Sequence, residues 1–164
     1  MDRFNHLEEH IDEGMVMIQA NLDDMNPEMT SYVMDLLFEA GANDVFWVPI
    51  VMKKGRPGMM LNVFAHRDRL AELKEIIFRE TTTLGIRYSA WTCHRLGREK
   101  VDVNTPWGTV TVKVGIFEGE AVQYAPEYED CRRISEKADI PLKKVYDEVR
   151  FRYSVMRESR NNQL

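Results

Sequence analysis

The sequence predicts an α+β fold with the element order β-α-β-β-α-β, followed by a β-hairpin and a helical C-terminal extension. Segments in which apolar residues recur with a period near 3.6, as in helices, alternate along the chain with short runs of apolar and β-branched residues, as in strands. Of the 164 residues, 44% are hydrophobic, which is enough to bury a core. We therefore expect one domain over residues 15–152. A polar N-terminal tail or linker (1–14) and a frayed C-terminal tail (153–164) are expected to flank it.

The first strand and the first helix are predicted by residues 15–41. The run MVMIQANL (15–22) is typical of a largely buried strand. Asn26 is a suitable helix N-cap, and Pro27 fits the first helical position. The apolar residues of this helix share one face. They are Met29, Tyr32, Val33, Leu36, Leu37 and Ala40. Gly41 is expected to end the helix.

Two more strands, a second helix and a fourth strand follow. NDVFWVPIVM (43–52) and MMLNVFAH (59–66) are the predicted strands, and the loop KKGRPG between them is short enough for a hairpin. Asp68 is expected to cap the second helix. The apolar positions of that helix are Leu70, Leu73, Ile76 and Ile77. After ETTTLG, the run IRYSAWTCHRL predicts the fourth strand.

The last third of the chain predicts further elements. KVDVNTPWGTVTVKVGIF (100–117) is interpreted as a hairpin because Val110, Val112 and Val114 alternate with polar residues. From APEYED to about Arg152 the pattern is helical. Pro141 is expected to break this region into two helices.

The β-α-β-β-α-β order is that of the ferredoxin-like sandwich, in which two helices cover one face of an antiparallel sheet. In this topology the first two strands are parallel and the third lies between them. The first βα loop (21–28), the hairpin loop (53–58) and the loop before the fourth strand (81–85) should therefore converge at one end. These loops carry Asp23, Asp24, Asn26, Glu28, Lys53, Lys54, Gly55, Arg56, Gly58, Thr81, Thr82 and Thr83.

Composition argues against several classes of protein. The formal net charge is −5, which disfavours nucleic-acid binding, and no apolar run is long enough to span a membrane. The N-terminal segment is too polar and acidic for a signal peptide. Cys93 and Cys131 fit a reducing cytoplasm better than a disulfide framework. His6 and His10, spaced as i and i+4, fit a solvated tail better than a metal pair.

The residues of the converging loops suit a phosphate bound together with a metal ion. One or two carboxylates can hold Mg²⁺ or Mn²⁺ while phosphate oxygens complete the coordination shell. Lysine and arginine neutralise the phosphate charge, and glycine lets backbone N–H groups approach. If the strand continues through them, Asp23 and Asp24 should face opposite sides of the sheet. These residues predict an anion or nucleotide site.

The same residues also have purely structural interpretations. Asn26 is explained as a cap, and Glu28 as a first-turn carboxylate that the helix dipole favours. The basic loop is equally typical of a solvated hairpin tip, and the three threonines can satisfy the last carbonyls of a helix. Both interpretations stay open on the spacing alone.

Four motifs carry a resemblance to a known family. NLDDMNPE, VPIVMKKGRPG, ETTTLGIR and PEYED, in this order and at these separations, resemble the C-terminal part of the nickel insertion protein of lactate racemase maturation (LarC). The resemblance covers about residues 15–150. The N-terminal portion of the family has no counterpart in this sequence, so it is an expected partner.

The resemblance implies an enzymatic role. The family is a CTP-dependent nickel chelatase, a lyase also called a cyclometallase. It inserts Ni²⁺ into pyridinium-3,5-bisthiocarboxylic acid mononucleotide and so completes the nickel-pincer nucleotide, in which two sulfurs and a ring carbon hold the metal. Transfer of CMP to the precursor's phosphate, with release of diphosphate, is the implied activation. The C-terminal domain is expected to bind CTP with Mn²⁺ or Mg²⁺ and to form a homo-oligomer.

Carried over to this sequence, the resemblance marks these motif positions, and the chemistry of their side chains assigns each a role. Lys53, Lys54, Gly55, Arg56 and Gly58 would bind the nucleotide phosphates. The metal ion would be held by Asp23, Asp24 or Glu28.

Two motifs complete this assignment. Thr81, Thr82 and Thr83 would supply hydroxyl contacts to the nucleotide. Arg87 and Lys54 would stabilise the leaving diphosphate. For Glu127 and Asp130 in PEYED, capping of a helix is at least as good an explanation as catalysis.

A function from another class is also compatible with the sequence. A ferredoxin-like domain can drive oligomerisation and sense a small ligand without catalysis. Charge reversal at Lys53 and Lys54 separates the two functions, because a scaffold would still assemble.

Overall fold

The computed structural model describes residues 7–161 and divides into two compact units. One unit is Ile11–Cys93, and the other combines residues 7–10 with residues 94–161. The structure thus differs from the single domain expected over 15–152. The physical reason is that the apolar residues form two separate cores, one in each unit.

The elements have the predicted order at the start of the chain. They are β1 (His10–Leu22), α1 (Thr30–Glu39), β2 (Asp44–Val51), β3 (Pro57–His66), α2 (Leu70–Glu80), β4 (Arg87–Arg95), β5 (Gly97–Thr105), β6 (Gly108–Phe117), β7 (Glu120–Pro126), α3 (Tyr128–Ala138) and α4 (Leu142–Asn161), with 3-10 turns at Pro27–Met29, Lys53–Gly55 and Arg67–Arg69. Residues 10–14 belong to β1 and residues 153–161 to α4, where tails were expected. His6 lies outside the described residues.

The Ile11–Cys93 unit has the predicted ferredoxin-like sheet. Its strand order is β2-β3-β1-β4, and β3 is antiparallel to both β1 and β2. The first two strands are therefore parallel to each other with the third between them, as predicted. This arrangement places the loops 21–28, 53–58 and 81–85 at one end of the sheet.

Both helices of this unit pack on the same face of the sheet. Alternate residues of the strands point toward the helices because side chains alternate across a strand. The core consists of Val16, Ile18, Ala20, Leu22, Val33, Leu37, Val45, Leu61, Val63, Ala65, Leu73 and Ile77. The opposite face of the sheet, which neither α1 nor α2 covers, carries Met17, Gln19, Asn21, Met60, Asn62 and Phe64, and we call it the helix-free face.

The helix ends agree with the sequence at one helix and differ at the other. Asn26 Oδ1 accepts the backbone N–H of Glu28 at 3.1 Å, so Asn26 is a cap as predicted, but of the 3-10 turn Pro27–Met29 that leads into α1. Asp68 is not the cap of the second helix: its own backbone N–H donates to His66 Nδ1 at 3.4 Å. A 3-10 turn begins at Arg67, which moves the cap two residues toward the N-terminus.

The other unit contains a three-stranded sheet, β5-β6-β7, and the helices α3 and α4. The predicted hairpin corresponds to β5 and β6, and β7 was not predicted. Valines of β5 and β6 pack against the two helices. As predicted, the helical region is interrupted at Pro141, which separates α3 from α4. The core of this unit consists of Val101, Val103, Val110, Val112, Val114, Cys131, Ile134, Val145, Val149 and Tyr153. Within residues 7–161, no helix has both the length and the apolar character needed to cross a membrane.

Candidate functional site

The three predicted loops meet at one end of the Ile11–Cys93 sheet. Arg56 Nη1 lies 3.3 Å from Asp23 Oδ2, which joins the hairpin loop to the end of β1. The Thr82 hydroxyl donates to Asp24 Oδ1 at 2.5 Å, which joins the loop after α2 to the same turn. The predicted convergence is confirmed by these two contacts. They also place Asp23 and Asp24 against different partners.

The basic hairpin loop is a tight turn. Lys54 and Gly55 both have positive φ, +63° and +70°, and the backbone N–H of Met52 donates to the Arg56 carbonyl at 2.8 Å. At Gly58 an added Cβ would lie only 2.7 Å from the Leu22 carbonyl oxygen. Glycine is required at position 58 because the loop lies so close to β1.

The charge of this loop is only partly neutralised within the described part of the chain. Arg56 pairs with Asp23, and its side chain remains 56% exposed. No ion pair joins Lys53 or Lys54 to a carboxylate among residues 7–161. The loop therefore exposes two lysine side chains and part of the Arg56 side chain at the end of the sheet. An anion site needs such positive charge.

The acidic residues form a weaker cluster than the basic ones. Asp23 and Asp24 are each engaged by one partner, and Glu28 follows the Asn26 cap. Within residues 7–161, no group of three or more His, Cys, Asp or Glu side chains is arranged to hold a metal ion. The donor set fits a divalent ion only if one or two carboxylates act together with ligand oxygens. A nucleotide-borne ion meets that condition, and a protein-only site does not.

The threonines divide between structural and exposed roles. Thr81 Oγ1 donates to the Ile77 carbonyl at 2.6 Å, and Thr83 Oγ1 donates to the Gly85 carbonyl at 2.8 Å. These two hydroxyls finish α2 and shape the loop, which agrees with their structural interpretation. Thr82 is the one of the three whose hydroxyl reaches Asp24.

Arg87 lies on the helix-free face, at the start of β4. Its Nε donates to Gln19 Oε1 at 3.2 Å, and its Nη2 donates to Asn21 Oδ1 at 2.8 Å and to Met60 Sδ at 3.2 Å. Neither Gln19 nor Asn21 was among the predicted site residues. Their signal in the sequence is a polar residue at every second position of an apolar strand, continued by Asp23.

The late acidic motif has a structural role in the other unit. Asp130 Oδ2 accepts the backbone N–H of Thr111 at 3.0 Å, and its Oδ1 accepts Arg133 at 2.6 Å. Glu127 pairs with Lys113 at 2.7 Å. These contacts fasten the start of α3 to β6. They do not cap the helix, because the side chain of the N-cap residue Glu127 makes no capping hydrogen bond. The Thr111 N–H, followed by the Arg133 guanidinium, lowers the pKa of Asp130 below its ordinary value of 3.8.

This lowered pKa predicts a pH dependence of stability. The carboxyl of Asp130 is a stronger acid in the folded chain than in the unfolded chain. Its contribution to the free energy of unfolding is therefore fully present above pH 3.8 and is lost as the pH falls through the folded-state pKa. We expect Asp130→Asn to lower the free energy of unfolding at neutral pH. The difference from wild type should shrink on acidification.

Urea denaturation from about pH 6 down to about pH 2 measures this difference. Glu158→Gln, which changes an exposed carboxylate of α4, is the control and should follow the wild type throughout. A gap between Asp130→Asn and wild type that is constant with pH would contradict the proposed linkage.

A cavity of about 450 Å³ lies elsewhere, in the unit that contains the three-stranded sheet. Its lining includes Glu99, Glu120, Tyr153 and Arg157. None of the predicted site residues is among the lining residues. The predicted site therefore does not include this cavity.

Comparison with known proteins gives one family. The family model "Nickel insertion protein" matches residues 4–146. The pyridinium-3,5-bisthiocarboxylic acid mononucleotide nickel insertion protein of Acetivibrio thermocellus is 46% identical over 156 residues, covering 95% of this chain and 38% of the relative. The chain thus spans about two fifths of the length of that relative.

Two solved structures have the same fold. One, described as LarC2, the C-terminal domain of a cyclometallase involved in the synthesis of the NPN cofactor of lactate racemase, in its apo form, has a TM-score of 0.84 at 39% identity, and the match covers 88% of this chain and 99% of that one. A protein from Methanopyrus kandleri AV19 has a TM-score of 0.64 at 28% identity, covering 87% and 88%. The resemblance stated from the four motifs is therefore confirmed, and the chain belongs to the nickel insertion protein family.

Proposed function

We propose that this chain is the part of a nickel insertion protein that binds CTP and a divalent metal ion. In the whole protein it would act in a CTP-dependent nickel chelatase, a lyase that builds the nickel-pincer nucleotide. The names of its relatives and its likeness to the C-terminal domain of a cyclometallase support the role in nickel insertion. The binding of CTP and a divalent ion is proposed from the loop residues. Because the chain spans 38% of that relative, an N-terminal half is the proposed partner in catalysis.

The observation that carries the proposal is the meeting of the basic and acidic loops. Lys53, Lys54 and Arg56 lie at the end of the sheet where Asp23 and Asp24 also lie. Lysine and arginine side chains there would hold the triphosphate, and the backbone of Gly55 and Gly58 would allow close approach.

The remaining site residues complete the proposed assignment. Thr82, flanked by Thr81 and Thr83, would offer its hydroxyl at the edge of the site. Asp23, Asp24 and Glu28 are the proposed metal ligands, of which one or two would act together with phosphate oxygens. A Mn²⁺ or Mg²⁺ ion bound there would neutralise charge on the triphosphate.

The chemical step needs no protein nucleophile. An oxygen of the precursor's phosphate attacks the α-phosphorus of CTP, a new P–O bond forms, and the bond to the departing diphosphate breaks. Negative charge moves onto the diphosphate, where Lys54 and Arg87 would stabilise it. Ni²⁺ is a substrate of the later insertion and is not assigned to residues of this chain.

Calorimetric titration of the purified chain with CTP and Mn²⁺, beside ATP and GTP, tests the proposal. We expect CTP to bind and Lys53→Glu to abolish binding, because a carboxylate would then face the phosphates. Lys137→Glu, an exposed change on α3, is the control and should bind like wild type. Binding that Lys53→Glu leaves intact would remove the loop from the site.

A folded chain that binds no nucleotide would overturn the nucleotide-binding proposal for the isolated chain. Light scattering on the same sample then decides the next step. Stable assembly that survives charge reversal at Lys53 and Lys54 would support the oligomerisation and ligand-sensing function instead.

A further inference from the structure

The Arg87 guanidinium is held by neutral partners. Its Nε and Nη2 donate to Gln19 Oε1, Asn21 Oδ1 and Met60 Sδ, and no carboxylate forms an ion pair with it in the described part of the chain. An arginine paired with a carboxylate loses most of its attraction for other anions. Here the full positive charge remains, and Nη1 takes part in none of these three contacts.

A relay of hydrogen bonds fixes the orientation of this guanidinium. Arginine can only donate, so the oxygen of the Gln19 carboxamide must face Arg87. The Gln19 nitrogen then donates to Asn62 Oδ1 at 2.7 Å, and Asn62 Nδ2 donates to the Met60 carbonyl at 3.1 Å. Every link has only one polarity, so the relay permits a single arrangement of both carboxamides.

The last member of the relay is a buried polar residue in the middle of the sheet. Asn62 is 2% exposed and lies directly across from Gln19 in the β1–β3 ladder. A buried carboxamide is costly unless its hydrogen bonds are satisfied, and an apolar residue would pack there at less cost. The asparagine is explained if it serves to orient Arg87.

Arg87 is also close to the proposed phosphate site. Asn21 comes two residues before Asp23, so their Cα atoms are at most about 7 Å apart. Asp23 in turn contacts Arg56. Arg87 and Arg56 thus lie near the same strand end, where two phosphoryl groups of one ligand could reach both.

We propose that Gln19 and Asn62 are positioning residues that hold Arg87 on the helix-free face for a phosphate oxygen of the ligand. This inference rests on the proposed function and deepens it, because it places the anion on the helix-free side of the sheet end. The shared ligand chemistry is a phosphate monoester or diphosphate oxygen. It can come from CTP or from the mononucleotide precursor.

Calorimetry on the intact chain with three probes tests the proposal: CTP with Mn²⁺, inorganic diphosphate, and nicotinate mononucleotide as a stand-in for the precursor. Gln19→Glu keeps a partner for Arg87 but offsets the positive charge of the guanidinium with a carboxylate. Asn62→Leu breaks the relay with a side chain of similar size. We expect each to weaken the affected probe about tenfold or more, the factor of one charge-assisted hydrogen bond. Gln123→Leu, an exposed carboxamide of β7, is the control.

The pattern of losses identifies the phosphate. Weakened CTP and diphosphate with unchanged mononucleotide assigns Arg87 to the leaving group, and weakened mononucleotide assigns it to the precursor. Either result supports the proposal. Asn62→Leu combined with Arg87→Ala should bind no worse than Arg87→Ala alone, because Asn62 acts through Arg87. Additive losses, or unchanged affinity in both relay variants, would overturn it.

A readout without ligand keeps this test separate from that of the proposed function. The Nε–H resonance of Arg87 in a ¹⁵N NMR spectrum should shift and broaden in Asn62→Leu and stay in place in Gln123→Leu. An unchanged resonance overturns the positioning role. If Lys53→Glu abolishes CTP binding while the relay variants bind normally, the proposed function stands and this inference fails. The reverse result is also possible to recognise. If the wild-type chain binds diphosphate but no nucleotide, and Gln19→Glu no longer binds diphosphate, this inference stands and the proposed function fails.

Discussion

Replacing Leu61 by alanine is expected to lower the free energy of unfolding of the Ile11–Cys93 unit by about 3 kcal/mol, within the range for buried leucines. Leu61 is fully buried on the central strand β3, where it faces Ala20 of β1 and Trp47 of β2. Both helices pack on this face, so the cavity cannot close by a local movement. A loss of this size is a large part of the stability of a small unit.

Urea denaturation followed by tryptophan fluorescence measures this loss. In a Trp107→Phe background the signal comes from Trp47 and Trp91, which both belong to this unit. Val51→Ala is the control because Val51 is 78% exposed, and its effect should stay within about 0.5 kcal/mol. A cost for Leu61→Ala as small as that of the control would contradict the packing described for β3.

Reversing the charge of Arg56 has the largest expected effect on binding. Arg56→Asp puts a second carboxylate beside Asp23 at the proposed phosphate site. We expect CTP affinity to fall about a hundredfold, from the lost charge-assisted hydrogen bond and the added repulsion. Stability should change by less than about 1 kcal/mol, because an ion pair this exposed contributes little.

The charge swap separates a ligand role from a structural one. Arg56→Asp combined with Asp23→Arg restores an ion pair between the two loops. If Arg56 contacts phosphate or Asp23 holds the metal ion, CTP binding stays weak in the swap. Full recovery of binding would mean that the pair only ties the loops together. Arg69→Asp, at the opposite end of β3 and paired with Glu72 at 3.4 Å, is the control and should bind CTP normally.

The fold of the Ile11–Cys93 unit was predictable because its periodicities are local and strong. The helical face of α1 and the apolar runs of β1 to β3 specify both the elements and their order. The topology then predicts that the three loops converge, which the Arg56–Asp23 and Thr82–Asp24 contacts confirm. The cap at His66 was missed because the 3-10 turn before α2 has no signature in the residue types.

The second unit was harder to predict because its boundaries depend on packing. EAVQYAP (120–126) is short, mostly exposed and ends in proline. Its sequence does not show the strict alternation of polar and apolar residues that marks a strand. Its pairing with β6 is what makes it β7. Periodicity shows which face of an element is apolar, but not which other face covers it. For that reason the sequence did not predict two cores.

The site residues on the helix-free face could not be derived from spacing alone. Asn62 interrupts an apolar strand, and its meaning depends on lying opposite Gln19, a register that only the paired strands define. Arg87 is a similar case. The sequence predicted it as a site residue next to the loops, but it did not predict the partners of Arg87 on β1. The roles of the predicted site residues toward nucleotide and metal stay predictions.

The division of the chain into two units has a consequence for the order of folding. One unit is continuous, whereas the other is assembled from residues 7–10 and residues 94–161. Its Glu9–His94 contact, at 2.6 Å, closes a loop that contains the whole continuous unit. Once that unit has folded, its first and last strands lie side by side, and most of the loop-closure entropy has already been lost. We therefore expect the N-terminal contacts of the discontinuous unit to form after the continuous unit has folded.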